Sequence, residues 1–222
     1  MKITRDDATW MYSVEWDDGR RQQLASVTTI IDAALGQFQG FTLDQLQDMF
    51  RDGERAGQIA ATVAAVMDRV RNAGAFGRAV HSLTELDDQG ILDEDSLDPA
   101  LKLILAAWKK FKVDCNPIMC CAEHSIASKL GYAGTLDRIA TMDGKPVLLE
   151  IKSRPYKAGR DGLQTIAYQK AYEEMTKTKI SKRYVIELTL GGDYKLTETK
   201  DRQDWDMFRC ALAIFNWREK HG

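Results

Sequence analysis

Three polar residues interrupt an otherwise apolar stretch of this 222-residue chain. They are Asp137, Glu150 and Lys152, set among Val147, Leu148, Leu149 and Ile151. Asp143-Gly144, lying between two apolar runs, is a signal for a two-residue hairpin. With that loop Met142 faces Lys145, and the same register sets Asp137 opposite Glu150. Facing residues have Cβ atoms ~4.5–5.5 Å apart, and two like charges so placed repel. Lys152, two residues past Glu150, projects from the same face. Packing gives this trio no reason to be there. A hard divalent cation would offset the repulsion, since Mg²⁺ and Mn²⁺ favour carboxylates, water and phosphate oxygens. A neighbouring ammonium then orients an attacking water or stabilises charge developing at phosphorus. The chemistry these residues suggest is metal-assisted phosphodiester hydrolysis.

Other residues surround that centre with less specific signals. Gln164 and Tyr168 are spaced i, i+4 and share a helix face toward the sheet. Either they border the site, orienting Lys152 or holding a phosphate or base, or they are ordinary packing residues. Tyr172 continues the face as a core position. Arg154, Lys157 and Arg160 follow the Lys152 strand, as phosphate contacts or as a solvated loop. They belong to a run from Lys152 to Arg183 with nine basic and three acidic residues. Residues 151–222 carry 15 Lys+Arg against 10 Asp+Glu, whereas residues 1–150 carry 16 against 23. The net charge of −2 therefore hides a basic C-terminal third, able to follow a phosphate backbone. His81, with Glu85 one turn later, reads by itself as a satisfied core or surface histidine. Cys115, Cys120, Cys121 and Cys210 include no Cys-x-x-Cys pair. Adjacent Cys120 and Cys121 point to opposite strand faces, so the cysteines read as small buried hydrophobes.

The elements that must position these residues follow from periodicity and punctuation. Residues 9–16 read as a strand, turned by Asp17-Asp18-Gly19 into a second strand toward Leu24. Ser26 or Thr28 caps a helix to about Leu35, stopped by Gly36. Thr42 with Gln45 forms a capping box for a helix to about Val70, weakened at Gly53 and Gly57 and broken by Asn72-Ala-Gly74. A helix over Gly77 to Gln89 ends at Gly90. Asp98-Pro99 starts another to about Val113. Strands then follow over 118–129, 133–142 and 145–153. Asp161 caps a helix through about Met175. A strand from Arg183 to Leu190 turns at Gly191-Gly192 into Tyr194 to Thr199. Asp201 or Asp204 opens a last helix to Lys220, with Trp205, Phe208, Leu212, Phe215 and Trp217 as apolar positions.

A composition of 44% hydrophobic and 29% charged residues supports a sizeable core in a soluble chain. Ile59 to Met67, among the longest apolar stretches, is too short to cross a bilayer. Met1-Lys-Ile-Thr-Arg has no apolar signal region, which points to the cytoplasm.

Together these motifs resemble a known family. Asp137 followed by Glu150-Ile-Lys152 looks like the PD-(D/E)xK nucleases, with Leu136 where the motif name has proline. Four further segments resemble the RecB-type branch, which includes phage exonucleases and the mitochondrial genome maintenance exonucleases. Ser26-Val-Thr-Thr-Ile-Ile looks like its "SVTTIL" segment. Gly77-Arg-Ala-Val-His81 looks like its Gly-x-x-x-His element. Glu123, upstream of Gly131-Tyr-Ala-Gly-Thr-Leu-Asp137, resembles the acidic residue before "GyaGtiD". Gln164-Thr-Ile-Ala-Tyr168 matches Gln-x-x-x-Tyr.

The resemblance implies an α/β, restriction-endonuclease-like core, a central mixed sheet flanked by helices, after a mainly helical N-terminal part. It implies one nuclease domain over 1–222, with the His motif in 1–115 and the catalytic core in 116–222. Asp137, Glu150, Lys152, Gln164 and Tyr168 would be catalytic. His81, Asp137, Glu150 and the Ile151 backbone carbonyl would hold one or two Mg²⁺ or Mn²⁺ ions, with Glu123 a further candidate. The cysteine spacing does not match branch members that hold an iron–sulfur cluster, so none is expected. The implied activity is a phage-type exodeoxyribonuclease acting on single- or double-stranded DNA with a free end, in recombination, repair or replication. A single-strand annealing protein is the implied partner, and a bacterial or phage-infected cytoplasm the setting. A structure-specific or restriction-type endonuclease is the first alternative. A non-catalytic DNA-binding scaffold is the second, disfavoured because the acidic residues and the lysine are all present.

Overall fold

This computed structural model describes residues 1–7, 9–35 and 74–221. The chain opens with an antiparallel sheet of three short strands, β1 (Lys2–Asp6), β2 (Met11–Glu15) and β3 (Arg21–Ala25). The polar run of β1 gives no alternation to read, so this strand is an addition to the expected pair. Helix α1 (Val27–Leu35) follows, and of the two caps considered it uses Ser26, whose Oγ accepts the Thr29 N–H at 3.0 Å. Gly36, the capping box at Thr42 and Gln45, the helix to Val70 and the break at residues 72–73 lie outside the described residues. Helix α2 covers residues 74–88, so Gly74 is already helical, and Gly90 ends that stretch with φ +70°. Helix α3 (Pro99–Cys115) is capped by Asp98 as expected, through Leu101 N–H at 2.9 Å, and runs two residues beyond Val113.

Five strands then build a mixed sheet. They are β4 (Ile118–Ser128), β5 (Tyr132–Met142), β6 (Lys145–Lys152), β7 (Lys182–Leu188) and β8 (Tyr194–Glu198). They lie side by side in chain order. All neighbours are antiparallel except β6 and β7. That parallel pair is bridged by helix α4 (Ala158–Thr176), and helix α5 (Asp204–His221) closes the chain. Asp143 and Gly144 both take positive φ, 51° and 71°, as a type I′ hairpin requires. Met142 therefore pairs with Lys145 and Arg138 with Leu149, the register read from the sequence.

Alternation along the strands gives the sheet two covered faces. On one face Ile126, Ile139 and Leu148 pack with Val27, Ile30 and Ile31 of α1, Ile166 and Ala167 of α4, and Phe208 and Leu212 of α5. On the other, Ala140, Val147, Leu149 and Ile151 pack with Val80 and Leu83 of α2 and Trp108 and Phe111 of α3. The architecture is α/β, a mixed five-stranded sheet flanked by helices. Among the described residues no helix is long and apolar enough to cross a membrane.

Several sequence expectations need correction. Helix α4 begins at Ala158, one turn before Asp161, with Lys157 at the cap. Asp161 lies inside the first turn, wholly buried, and reaches back to the Lys157 N–H at 2.8 Å. The cysteines are not buried: Cys120, at a bulge in edge strand β4, and Cys210 are exposed, and Cys115 and Cys121 are intermediate. Trp217 is 64% exposed rather than part of the core.

One feature of β5 positions everything that follows. It pairs with β4 along its whole length, from Tyr132 to Thr141, but with β6 only from Arg138 to Met142. The two central strands therefore separate at Asp137. Ser26 bridges Ala133, and the Tyr12 hydroxyl meets Thr135 Oγ1 at 3.0 Å, docking the N-terminal sheet beside the gap. The Tyr168 ring lies against β5 on this stretch, so close to Gly134 that a Cβ there would lie 2.6 Å from Tyr168 Cε1. Gly134→Ala should thus overpack the gap and destabilise the fold by about 1–3 kcal/mol. Denaturant unfolding checks this, and an unchanged midpoint would show that Tyr168 moves aside freely.

Candidate active site

Where β5 leaves β6, backbone groups lose their ladder partners and side chains replace them. The Ile151 N–H donates to Asp137 Oδ2 at 2.6 Å. The hairpin ladder ends at Arg138–Leu149, and Asp137 and Glu150 are the next residues on the two parting strands. Across the other edge, the pairs Ala122–Arg138 and His124–Leu136 bracket Glu123, which sits opposite Asp137. Three acidic residues on three adjacent strands thus form one row across the sheet. Glu123 has φ +44° within β4. A non-glycine residue in that region costs roughly 1–3 kcal/mol and is retained where surrounding structure demands it.

Two cationic side chains flank the row. His81, from α2, sets Nδ1 3.3 Å from Asp137 Oδ1 and 3.5 Å from Glu123 Oε1. His81, Glu123 and Asp137 each offer a ligand atom, all within 4.8 Å of one another. Lys152 Nζ donates to Glu150 Oε1 at 2.6 Å and to Gln164 Oε1 at 3.1 Å. Gln164 Nε2 in turn donates to the Tyr168 hydroxyl at 3.1 Å. Gln164 and Tyr168 are both buried, and their i, i+4 spacing serves this chain to the lysine. Glu150 Oε2 is buried with no hydrogen-bond partner.

This environment drives the two central carboxylates apart. Asp137 pushes His81 up to about 10, with the Glu123 contact adding to it against the effect of burial. Burial acts to raise Asp137, but His81, Lys152 and the Ile151 N–H outweigh it and hold this carboxyl below its usual range. Burial and the Asp137 charge push Glu150 up to about 7, despite Lys152. Burial works against the Lys152 charge, but Glu150 and Asp137 keep the ammonium protonated. Burial, helped by Glu150, holds the Tyr168 phenol well above its ordinary value.

The structure therefore brings together Asp137, Glu150, Lys152, Gln164, Tyr168, His81 and Glu123. Ile151 adds its N–H, which holds Asp137 Oδ2. The basic residues after β6 are differently engaged. Arg154 forms a two-pronged pair with buried Asp161, at 3.0 and 2.5 Å. Arg160 pairs with Asp32 of α1. Lys157 is exposed. Further along the run Arg183 is buried against Asp204 at 3.2 Å. The basic stretch is thus not one continuous surface. Sequence reading also passed over Arg138, fully buried beside the row, with Nη1 2.7 Å from the Asp137 carbonyl and 3.4 Å from Glu123 Oε1. An arginine in the middle of an apolar strand was the available signal.

No family model matches the chain, and no curated protein matches it. Among solved structures, SSO0001 is similar over 87% of this chain and 90% of its own, at 15% identity and a TM-score of 0.32. So loose a likeness carries no argument about activity.

The shifted groups dictate how metal-free stability varies with pH. Glu150 has its folded pKa raised, from 4.5 to about 7, so its contribution is complete below 4.5 and is lost as pH rises to about 7. His81 is raised from 6.5 to about 10, so its contribution is complete below 6.5 and lost by about 10. The melting temperature in chelator should fall across both windows. His81→Asn should remove the alkaline fall and leave the acidic one. An alkaline fall of full size in His81→Asn would show that another group is responsible.

Proposed function

We propose that this chain is a divalent-metal-dependent deoxyribonuclease with a restriction-endonuclease-like core, acting on free DNA ends. One observation carries the reading. A row of three acidic residues, flanked by His81 and Lys152, lies where the central strands part. The motif resemblance to RecB-type exonucleases supports the choice of DNA and of ends.

The residues fit a hard cation. His81, Glu123 and Asp137 converge, and Glu150 keeps one buried oxygen without a partner. His81, Glu123, Asp137 and Glu150 would hold it, with the Ile151 carbonyl a further candidate. A bound Mg²⁺ or Mn²⁺ would neutralise the carboxylates and polarise a phosphodiester oxygen or a water. The chain's own contribution is preorganisation. Glu150 and Gln164 fix the Lys152 ammonium, and Tyr168 fixes Gln164. A point charge so held stabilises negative charge growing at phosphorus with little reorganisation. Cytoplasmic action on recombination, repair or replication intermediates, beside a single-strand annealing protein, suits this activity.

End-labelled linear single- and double-stranded DNA and covalently closed circles, incubated with Mg²⁺, Mn²⁺ or EDTA, test the reading. Linear DNA should be degraded, circles spared, and EDTA should abolish cleavage. Rapid linearisation of circles would establish an endonuclease instead, and no cleavage under any condition would overturn the reading. Lys152→Ala should lower the rate ~10²–10³-fold; Mn²⁺ binding should persist because the proposed ligands are untouched, and melting temperature because metal-free Glu150 can take up a proton rather than stand as a bare charge. Lys152→Arg should rescue poorly, since a planar fork does not replace a compact ammonium. A Lys152→Ala protein cutting at wild-type rate would remove the lysine from the mechanism.

The ion pairs also sort the basic residues. Arg154 and Arg160 already have carboxylate partners, whereas Lys157 is exposed. Lys157→Ala should reduce the salt dependence of DNA affinity by about one released counterion. An unchanged slope would mean that the DNA runs elsewhere.

A further inference from the structure

We infer that Arg138 is a positioning residue that pins the His81 helix to the acidic row, and so sets the cation affinity of the site. The inference rests on the metal reading above and names a residue outside the ligand set.

Arg138 is wholly buried, a costly place for a charge unless it is paired and hydrogen-bonded. Its Nε donates to Asp88 Oδ2 at 2.8 Å and its Nη2 to Thr84 Oγ1 at 3.2 Å. Its Nη1 donates to the Asp137 carbonyl and to Glu123 Oε1. His81, Thr84 and Asp88 are spaced i, i+3 and i+7, on one face of α2. One guanidinium therefore spans three elements. It grips α2 one and two turns beyond His81, the backbone of Asp137, and the carboxylate of Glu123. Thr84 also donates back to the His81 carbonyl at 3.0 Å. Asp88 is held from behind by Trp108 Nε1 at 3.2 Å and by Lys112 at 3.4 Å. The planar fork matters because a lysine ammonium lacks the reach and geometry to hold all four partners. Glu123 Oε1 lies between Arg138 and His81, so Arg138 governs both where this oxygen stands and how far the imidazole approaches it.

The test is MnCl₂ titration, with melting temperature, on wild type, Arg138→Lys, Thr84→Val and Arg183→Lys. The last is a matched control, because Arg183 pairs with Asp204 in another buried site. Groups that orient ligands typically change metal affinity 10–100-fold. Arg138→Lys should weaken Mn²⁺ binding by about that factor and Thr84→Val by less. Arg183→Lys should lower the melting temperature and leave Mn²⁺ affinity unchanged. If Arg138→Lys does not fold, Thr84→Val decides: wild-type affinity there overturns the inference. Equal losses in Arg138→Lys and Arg183→Lys also overturn it, since the effect would be general loosening. A wild-type protein that binds Mn²⁺ beside an Arg138→Lys protein that binds equally well removes the role of Arg138 alone. A wild-type protein without Mn²⁺ affinity removes the metal reading and, with it, this one.

Discussion

Like charges held at neighbouring places in a sheet are the constraint around which this structure is arranged. Asp137 and Glu150 are buried on adjacent strands, each one residue beyond the last ladder pair, Arg138–Leu149. Were both ionised at a general cross-strand spacing of ~5 Å, an effective dielectric near 20 would give a repulsion of about 3 kcal/mol. A favourable cross-strand pair contributes only ~0.2–1 kcal/mol, so the sheet alone cannot hold them. Each carboxylate has instead recruited a partner from a helix or from its own strand. His81 comes from α2, Lys152 from β6, and Gln164 steadies the lysine from α4. The docking of α2 and α4 is in this sense tied to the acidic row.

The separation of β5 from β6 makes such an arrangement possible. A fully paired central strand would have backbone on both edges and no room for a carboxylate to accept the Ile151 N–H. Because pairing stops at Arg138, the Asp137 side chain takes over as acceptor. Buried backbone donors are seldom left unsatisfied, so the exchange links strand geometry to the orientation of Asp137 Oδ2. Gly134 serves the same gap from the other side by letting Tyr168 approach the strand.

What could be read from the sequence depended on whether the signal was local. The Asp143-Gly144 turn carried its own conformation, and the ladder from Met142–Lys145 to Arg138–Leu149 followed by counting, ending one residue short of Asp137 and Glu150. Gln164 and Tyr168 were legible because helical spacing alone puts them on one face. Arg138 was not, since its partners Thr84, Asp88 and Glu123 are brought to it by tertiary packing. Asp161 looked like a cap from its type, but Arg154 and the Lys157 N–H claim its carboxylate inside the helix. Charge counting suggested a basic surface after β6, yet Arg154, Arg160 and Arg183 spend their charge on Asp161, Asp32 and Asp204. Partners remote in sequence are invisible to composition.

The two central carboxylates are not equivalent, and the asymmetry has a structural source. Asp137 faces His81 and a backbone N–H, so its charge is favoured. Glu150 faces Lys152 with one oxygen only, and its other oxygen is buried without a protein donor. Burial and the neighbouring Asp137 charge outweigh Lys152 and His81 at Glu150, and its proton is held up to about 7. Pairs of acids whose surroundings drive them apart are a recurring feature of reactive sites. Here the anionic member is the one locked by the strand, and the member with an unmet oxygen is beside the lysine. A cation entering the row would displace protons from His81 and Glu150 rather than from Asp137. Asp137 is thus the fixed anchor of the site, and Glu150 and His81 are the groups whose state changes around it.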